Sequence, residues 1–202
     1  MNRLSVVAAS LGLVLAGGGS AHAQSWEASF LAGYTAKAGL DRRAPELDGL
    51  DVRGGFTLGA QAGRSLGRRW GVEVLWTQQH TAQQVGIGGA TADLFSFTID
   101  DVHANAVYHF ANPDAALRLF VLGGLGASYF SGGGLPSETK FSWAIGGGVK
   151  YYPWKSIGIR GLVRYKPVVL ADKGAGDFCD PFGFCQSWLN RFDLTGGVVL
   201  RF

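Results

Sequence analysis

The chain has 202 residues, with 18 Lys and Arg against 15 Asp and Glu, a formal net charge of +3, and 32 glycines against six prolines. So small a charge argues against a nucleic-acid-binding or polybasic membrane-surface protein. Glycine destabilises a helix interior by about 1 kcal/mol per residue, so this much of it argues against a mostly helical fold, and its lack of a three-residue period excludes collagen.

The first predicted element is a secretory signal. Arg3 supplies a basic start, and Leu4 to Ala16 form an apolar stretch of about 13 residues. That is too short for a spanning helix, which needs about 20. Ala21 and Ala23 place small side chains where signal peptidase requires them, so residues 1–23 are expected to be a signal peptide cleaved after Ala23. Residues 24–202 then form one domain, in which loss of Arg3 leaves 17 basic against 15 acidic residues. No later segment approaches the length of a spanning helix.

From there the pattern has period two. Ser25 to Thr35 sets Trp26, Ala28, Phe30, Ala32 and Tyr34 against Glu27, Ser29 and Gly33. Phe56 to Ser65 opposes Phe56 and Leu58 to Thr57, Gly59 and Gln61. Trp70 to Gln79 opposes Trp70, Val72, Val74 and Trp76 to Gly71, Glu73 and Thr77. The fourth segment, Leu94 to Phe110, sets Val102, Ala104, Ala106 and Tyr108 against His103, Asn105 and His109, with an unsettled phase over Phe95–Ile99 where a bulge would fit. Leu117 to Phe130 is ambiguous, because Phe120 and Leu122 oppose the apolar series Leu119, Val121 and Leu125. Phe141 to Tyr152, Ile157 to Lys166 and the run from Phe192 to Phe202 complete eight predicted strands.

The connections alternate. Long ones follow the odd strands (36–55, 80–93, 131–140, 167–187), and short ones follow the even strands (66–69, 111–116, 153–156). That alternation belongs to bacterial membrane barrels, with long loops outside and short turns in the periplasm. Aromatics cluster near strand ends. Trp143 and Tyr151 lie eight residues apart, which is about 26 Å along a strand and roughly 20 Å of depth after tilting, close to the ~25 Å apolar band. The other face carries glycines among charges of both signs: Glu27, Glu73, Lys150, Arg160, Arg164, Asp193 and Arg201. An eight-stranded lumen has room for side chains only, so Arg–carboxylate bridges among Glu27, Glu73, Arg160, Arg164, Asp193 and Arg201 are expected across it. The fold class is therefore all-β: an eight-stranded antiparallel transmembrane barrel of the outer-membrane type.

Two local phrases carry a family resemblance: Ala104-Asn105-Ala106-Val107-Tyr108-His109-Phe110, and the terminal Val198-Val199-Leu200-Arg201-Phe202. With the signal segment and the eight alternating runs, the chain resembles the OmpA/OmpX-type small outer-membrane β-barrels. The resemblance implies that Leu200 and Phe202, with Val198 and Leu194, form the signal read by the barrel-assembly machinery, although Gly196 interrupts the series. It further implies a monomer in outer-membrane lipid and lipopolysaccharide, with no peptidoglycan-binding domain after Phe202.

Cys179 and Cys185 lie in the last long loop and are expected to form a disulfide in an oxidising compartment. Phe178, Pro181, Phe182 and Phe184 beside them suit contact with a partner or membrane. The first loop mixes Lys37, Asp41, Arg42, Arg43, Glu46, Asp48, Asp51 and Arg53; it is either a solvated surface or a contact for lipopolysaccharide phosphates or an extracellular ligand. His103-Ala104-Asn105 lacks the serine of the lipid A deacylase pattern, and no phosphate loop, cofactor fingerprint or metal set is present, so neither catalytic residues nor cofactors are expected. The expected role is structural or surface-interactive. A narrow passive pore is the alternative, and a lipid-modifying enzyme comes third.

Overall fold

The computed structural model describes residues 26–36, 51–87, 90–132, 135–169 and 188–202, which form a closed ring of antiparallel strands. The eight barrel strands are β1 (Trp26–Thr35), β2 (Gly55–Ser65), β3 (Trp70–Ile87), β4 (Ala90–His109), β5 (Leu117–Gly132), β6 (Leu135–Tyr151), β7 (Ile157–Tyr165) and β8 (Phe192–Arg201). Each pairs with its neighbour in sequence, and β8 returns to β1 in a ladder from Glu27↔Arg201 to Thr35↔Asp193. Trp26 and Phe202 exchange two backbone hydrogen bonds of 3.0 Å at the seam. Lipid offers no partner to an unpaired edge, so an all-β span must close. The expected signal segment with Ala21 and Ala23, and the cysteines Cys179 and Cys185, lie outside the described residues.

Strand length departs from the alternation in the sequence. The expected loop 80–93 is mostly strand, since β3 runs to Ile87 and β4 begins at Ala90. The expected loop 131–140 is likewise strand, with β5 ending at Gly132 and β6 beginning at Leu135. Asp51–Val52 extends the β2 side by pairing with β3, and Val168–Val169 pairs with Trp188–Leu189 past the end of β7. The physical reason is that period-two apolarity reports contact with lipid, whereas the backbone ladder continues above the membrane with polar side chains on its outer face. His80 and Ser96 are such outward positions, both exposed. The bulge also has a place: Gln83 pairs with Phe95 and Gln84 with Asp93, leaving Leu94 as the extra residue.

The two faces separate cleanly. Outward side chains such as Phe30, Leu125 and Leu194 are 68%, 63% and 64% exposed, as lipid-facing residues of a barrel must be. Trp70, Tyr108 and Phe110 stack near the end that holds the chain termini, and Trp143, Tyr165 and Phe192 stack near the other. These are the two aromatic girdles. The ambiguous apolar residues resolve inward: Phe120, Leu122, Phe97 and Ile99 are all buried in the lumen.

Candidate functional site

The lumen is layered. At the level of the termini, Glu27 on β1 accepts hydrogen bonds from Arg118 Nη2 (2.6 Å), from Lys150 Nζ and from Tyr152 Oη (2.9 Å). The guanidinium groups of Arg118 and Arg201 both lie 4.6 Å from the centre of the Tyr152 ring. Next, Arg160 donates two parallel 2.9 Å hydrogen bonds to Glu73 and a third of 3.0 Å to Gln61, whose same oxygen accepts from Ser29 Oγ at 2.7 Å. This fork-to-carboxylate geometry is the strong form of the ion pair.

An apolar layer follows: Leu31, Leu75, Val107, Phe120, Leu122 and Leu162. Phe120 marks its boundary, with Arg160 and Lys150 at 4.7 Å and 5.3 Å from its ring centre. Beyond it lies a second ionic cluster. Asp101 accepts from Lys166 Nζ (2.6 Å), Arg191 Nη2 (2.5 Å) and Ser128 Oγ (2.5 Å). Asp193 binds Arg164 and Lys166, each at 2.8 Å, and accepts from Thr35 Oγ1 at 2.7 Å. Inward glycines make the room. A methyl on Gly126 would meet His103 Cδ2 at 2.8 Å, and one on Gly148 would meet Phe120 Cζ at the same distance.

Each cluster therefore holds three cations and two carboxylates: Arg118, Lys150 and Arg160 with Glu27 and Glu73, then Arg164, Lys166 and Arg191 with Asp101 and Asp193. None of these ten side chains is more than 6% exposed. Leu75, Leu162, Arg164 and Lys166 are at most 1% exposed, so no water-wide channel passes them.

Of the residues expected to bridge the lumen, Glu27, Glu73, Arg160, Arg164 and Asp193 lie in these clusters. Arg201 does not. It is the last inward position of β8, where the mouth is crossed by the turns, and it donates to the backbone carbonyls of Lys155 (3.0 and 3.2 Å) and Pro113 (2.8 Å). Asp101, Arg118, Lys150, Lys166 and Arg191 complete the clusters; they lie outside the set expected to bridge, although the sequence pattern puts Lys150, Lys166 and Arg191 on the lumen face. Their parity was the available signal, but in β5 it was masked by Phe120 and Leu122 sharing the inward phase with Arg118. Leu200 and Phe202 lie at the seam, with Phe202 73% exposed.

A separate cleft of about 520 Å³ opens at the end away from the termini, bordered by Tyr34, Arg53, Phe56, His80, Phe97 and Thr98. His80 Nδ1 lies 3.1 Å from Thr98 Oγ1 on the outer wall, and Thr81 Oγ1 donates to the Arg53 carbonyl. No sequence motif marks this cleft, because the strands forming it extend past the membrane-facing alternation.

The family model described as "Outer membrane protein beta-barrel domain" matches residues 11–202. The chain belongs to this family. No curated protein matches it in sequence. Among solved structures, Neisserial surface protein A is 15% identical with a TM-score of 0.62, covering 90% of this chain and 100% of its own. OprG from Pseudomonas aeruginosa is 13% identical at TM-score 0.60, covering 89% and 95%. A major outer membrane protein from Thermus thermophilus is 13% identical at TM-score 0.59, covering 90% and 100%. At these identities the likeness establishes the fold.

This outer-membrane barrel therefore carries its termini and short turns at the periplasmic end, and its long hairpins and cleft at the extracellular end. One lumen pair has the residue types of a catalytic dyad: Ser142 Oγ lies 3.1 Å from His103 Nε2. Both residues are 0% exposed, and His103 Nδ1 has no hydrogen-bond partner. Asp101, two residues away, is taken up by Lys166, Arg191 and Ser128, and among the described residues no acid is hydrogen-bonded to the imidazole.

Proposed function

We propose that this outer-membrane barrel is a closed, monomeric, non-catalytic scaffold whose working surface is its extracellular end. The observation that carries this reading is the filled lumen: two ionic clusters separated by an apolar layer, with the middle side chains inaccessible to water. A scaffold of that kind holds surface elements rigidly and leaves interaction to them. The 520 Å³ cleft with Arg53, His80 and Tyr34 lies at that end and offers an extracellular ligand a place. The name of Neisserial surface protein A, a structural neighbour, supports the same role. In this reading Leu200 and Phe202 are presented to the assembly machinery, lipopolysaccharide surrounds the extracellular half, and Cys179 and Cys185 are bridged.

Reconstitution into planar bilayers tests it. The expected record is free of discrete conductance steps. Stable steps would replace the scaffold with the narrow pore, and a change in lipid A mass on expression would replace it with the lipid-modifying enzyme.

A further inference from the structure

The periplasmic rim is chemically lopsided. On the arc formed by β1 to β4, the turn Leu66-Gly67-Arg68-Arg69 and the end of β2 bring three arginines within six residues. Gly67 has a φ of +151°, a backbone region open essentially to glycine alone. With it, the turn closes through the Leu66 amide on the Trp70 carbonyl at 2.8 Å, leaving Arg68 and Arg69 exposed. On the arc from β5 to β8, the described rim charges are Lys155 and Arg201, with Asp114 in the turn that joins β4 to β5. Arg201 is already committed to the Pro113 and Lys155 carbonyls.

The arginine arc is tied to the aromatic girdle, which sits at the headgroup level of a membrane. Arg64 is an outward position of β2, and its guanidinium lies 5.4 Å from the centre of the Trp26 ring. Arg69 Nη1 donates to Tyr108 Oη at 3.3 Å, and Tyr108 packs edge-on against Trp70 with ring centres 5.1 Å apart. The heads of Arg64 and Arg69 are thus held beside girdle aromatics, the arrangement of side chains that snorkel to the headgroup level. Leu66, 57% exposed beside them, continues the apolar side of the surface.

We propose that Arg64, Arg68 and Arg69, with Trp26, Trp70 and Tyr108, form a docking surface for anionic phospholipid headgroups of the periplasmic leaflet. The patch prefers phosphatidylglycerol-type lipids over zwitterionic ones, because a net negative headgroup adds Coulomb attraction at each guanidinium. It also fixes the rotational position of the barrel relative to its lipid annulus, since only one arc carries it.

Native mass spectrometry of the full barrel, released from micelles equimolar in phosphatidylglycerol and phosphatidylethanolamine, reads this directly. One basic side chain near an anionic surface shifts partitioning by about fivefold, so the first bound lipid should be phosphatidylglycerol by at least about that ratio. The ratio should fall towards one in R64Q/R68Q/R69Q and persist in R64K/R68K/R69K and in K155Q. A heat-shifted band on gels establishes that each variant is folded. Equal adducts of the two lipids on the unaltered barrel would overturn the proposal. So would a preference that survives the folded triple-glutamine variant, or one that K155Q abolishes instead.

Discussion

The surplus of lumen cations predicts an asymmetry between the partners of one ion pair. In Glu73→Leu, the Arg160 guanidinium keeps one hydrogen bond, the 3.0 Å contact to Gln61, and its place over the Phe120 ring. It then sits in a cluster with three cations and one carboxylate, Glu27. In Arg160→Leu, Glu73 loses its bidentate partner, but two cations remain against two carboxylates, and the charges of Lys150 and Arg164 already act on Glu73. Breaking a buried pair costs about 3–5 kcal/mol, and replacing both members by apolar groups is often neutral. The expected order is therefore about 4–5 kcal/mol for Glu73→Leu, about 3 for Arg160→Leu, and about 0–1 for the double variant, which leaves two leucines beside Phe120 and Leu75. Equilibrium urea unfolding in phospholipid vesicles, followed by tryptophan fluorescence, gives all three values. The coupling in the cycle should exceed about 2 kcal/mol in favour of the double variant. The reasoning fails if Arg160→Leu is the costlier single change, or if the double variant is as unstable as the worse single one.

Other parts of the structure make independent claims. A Cβ on Gly197 would lie 1.8 Å from the Phe30 carbonyl oxygen, at the β1–β8 seam, while one on neighbouring Gly196 meets nothing closer than 3.7 Å. Gly197→Ala should cost about 1–3 kcal/mol as overpacking and lower the temperature of the heat-induced gel shift, with Gly196→Ala unchanged. Arg201→Gln removes three bonds to turn carbonyls, which at about 0.5–1.5 kcal/mol per hydrogen bond should loosen the periplasmic turns. Hydrogen exchange should rise at 111–116 and 152–156 but not in the lumen-facing ends of β3 and β4. Ser142→Ala should cost about 1 kcal/mol and alter no lipid A mass; a changed lipid would restore the catalytic reading of His103. Maleimide-linked polymer added to the denatured, unreduced protein should not increase its mass, and a gain would show Cys179 and Cys185 to be free.

How far the fold was legible follows from which solvent each residue meets. Where a strand crosses lipid, the outer face must be apolar, so Phe30, Val72, Ile145 and Leu194 announce β1, β3, β6 and β8 unmistakably. Above the membrane both faces of β3 and β4 are free of that demand, and His80 to Gln83 read as a loop although their ladder is unbroken. The lumen was legible in kind but not in partners. Glu27 is bound by Arg118 and Lys150, which come from strands remote in sequence, and no spacing rule links positions 27, 118 and 150. Phe120, Leu122, Phe97 and Ile99 misled for a further reason. A barrel interior closed at eight strands is a small protein core, and apolar side chains pack there as they do in any core.

That interior core bears on why the charges are arranged in two clusters. A continuous ionic column would let each surplus cation repel the next, and would leave polar groups in line for water to follow. The layer of Leu31, Leu75, Val107, Phe120, Leu122 and Leu162 separates the clusters, so each repels mainly within itself. It also dehydrates the inner faces of both, which strengthens Glu73–Arg160 and Asp193–Arg164 as electrostatic ties between strands distant in sequence. Lipid-facing packing cannot supply such ties, because the exterior meets a solvent as apolar as itself. The rigidity of the hairpins above the membrane therefore rests on the lumen. A variant that opened the apolar layer, such as Phe120→Ala, should soften the extracellular ends of β3 and β4 as well as admit water. Measuring hydrogen exchange over 78–82 and 96–100 in that variant separates the two views of the lumen: protection unchanged there would make the interior mere filling, and lost protection would make it the support on which the surface stands.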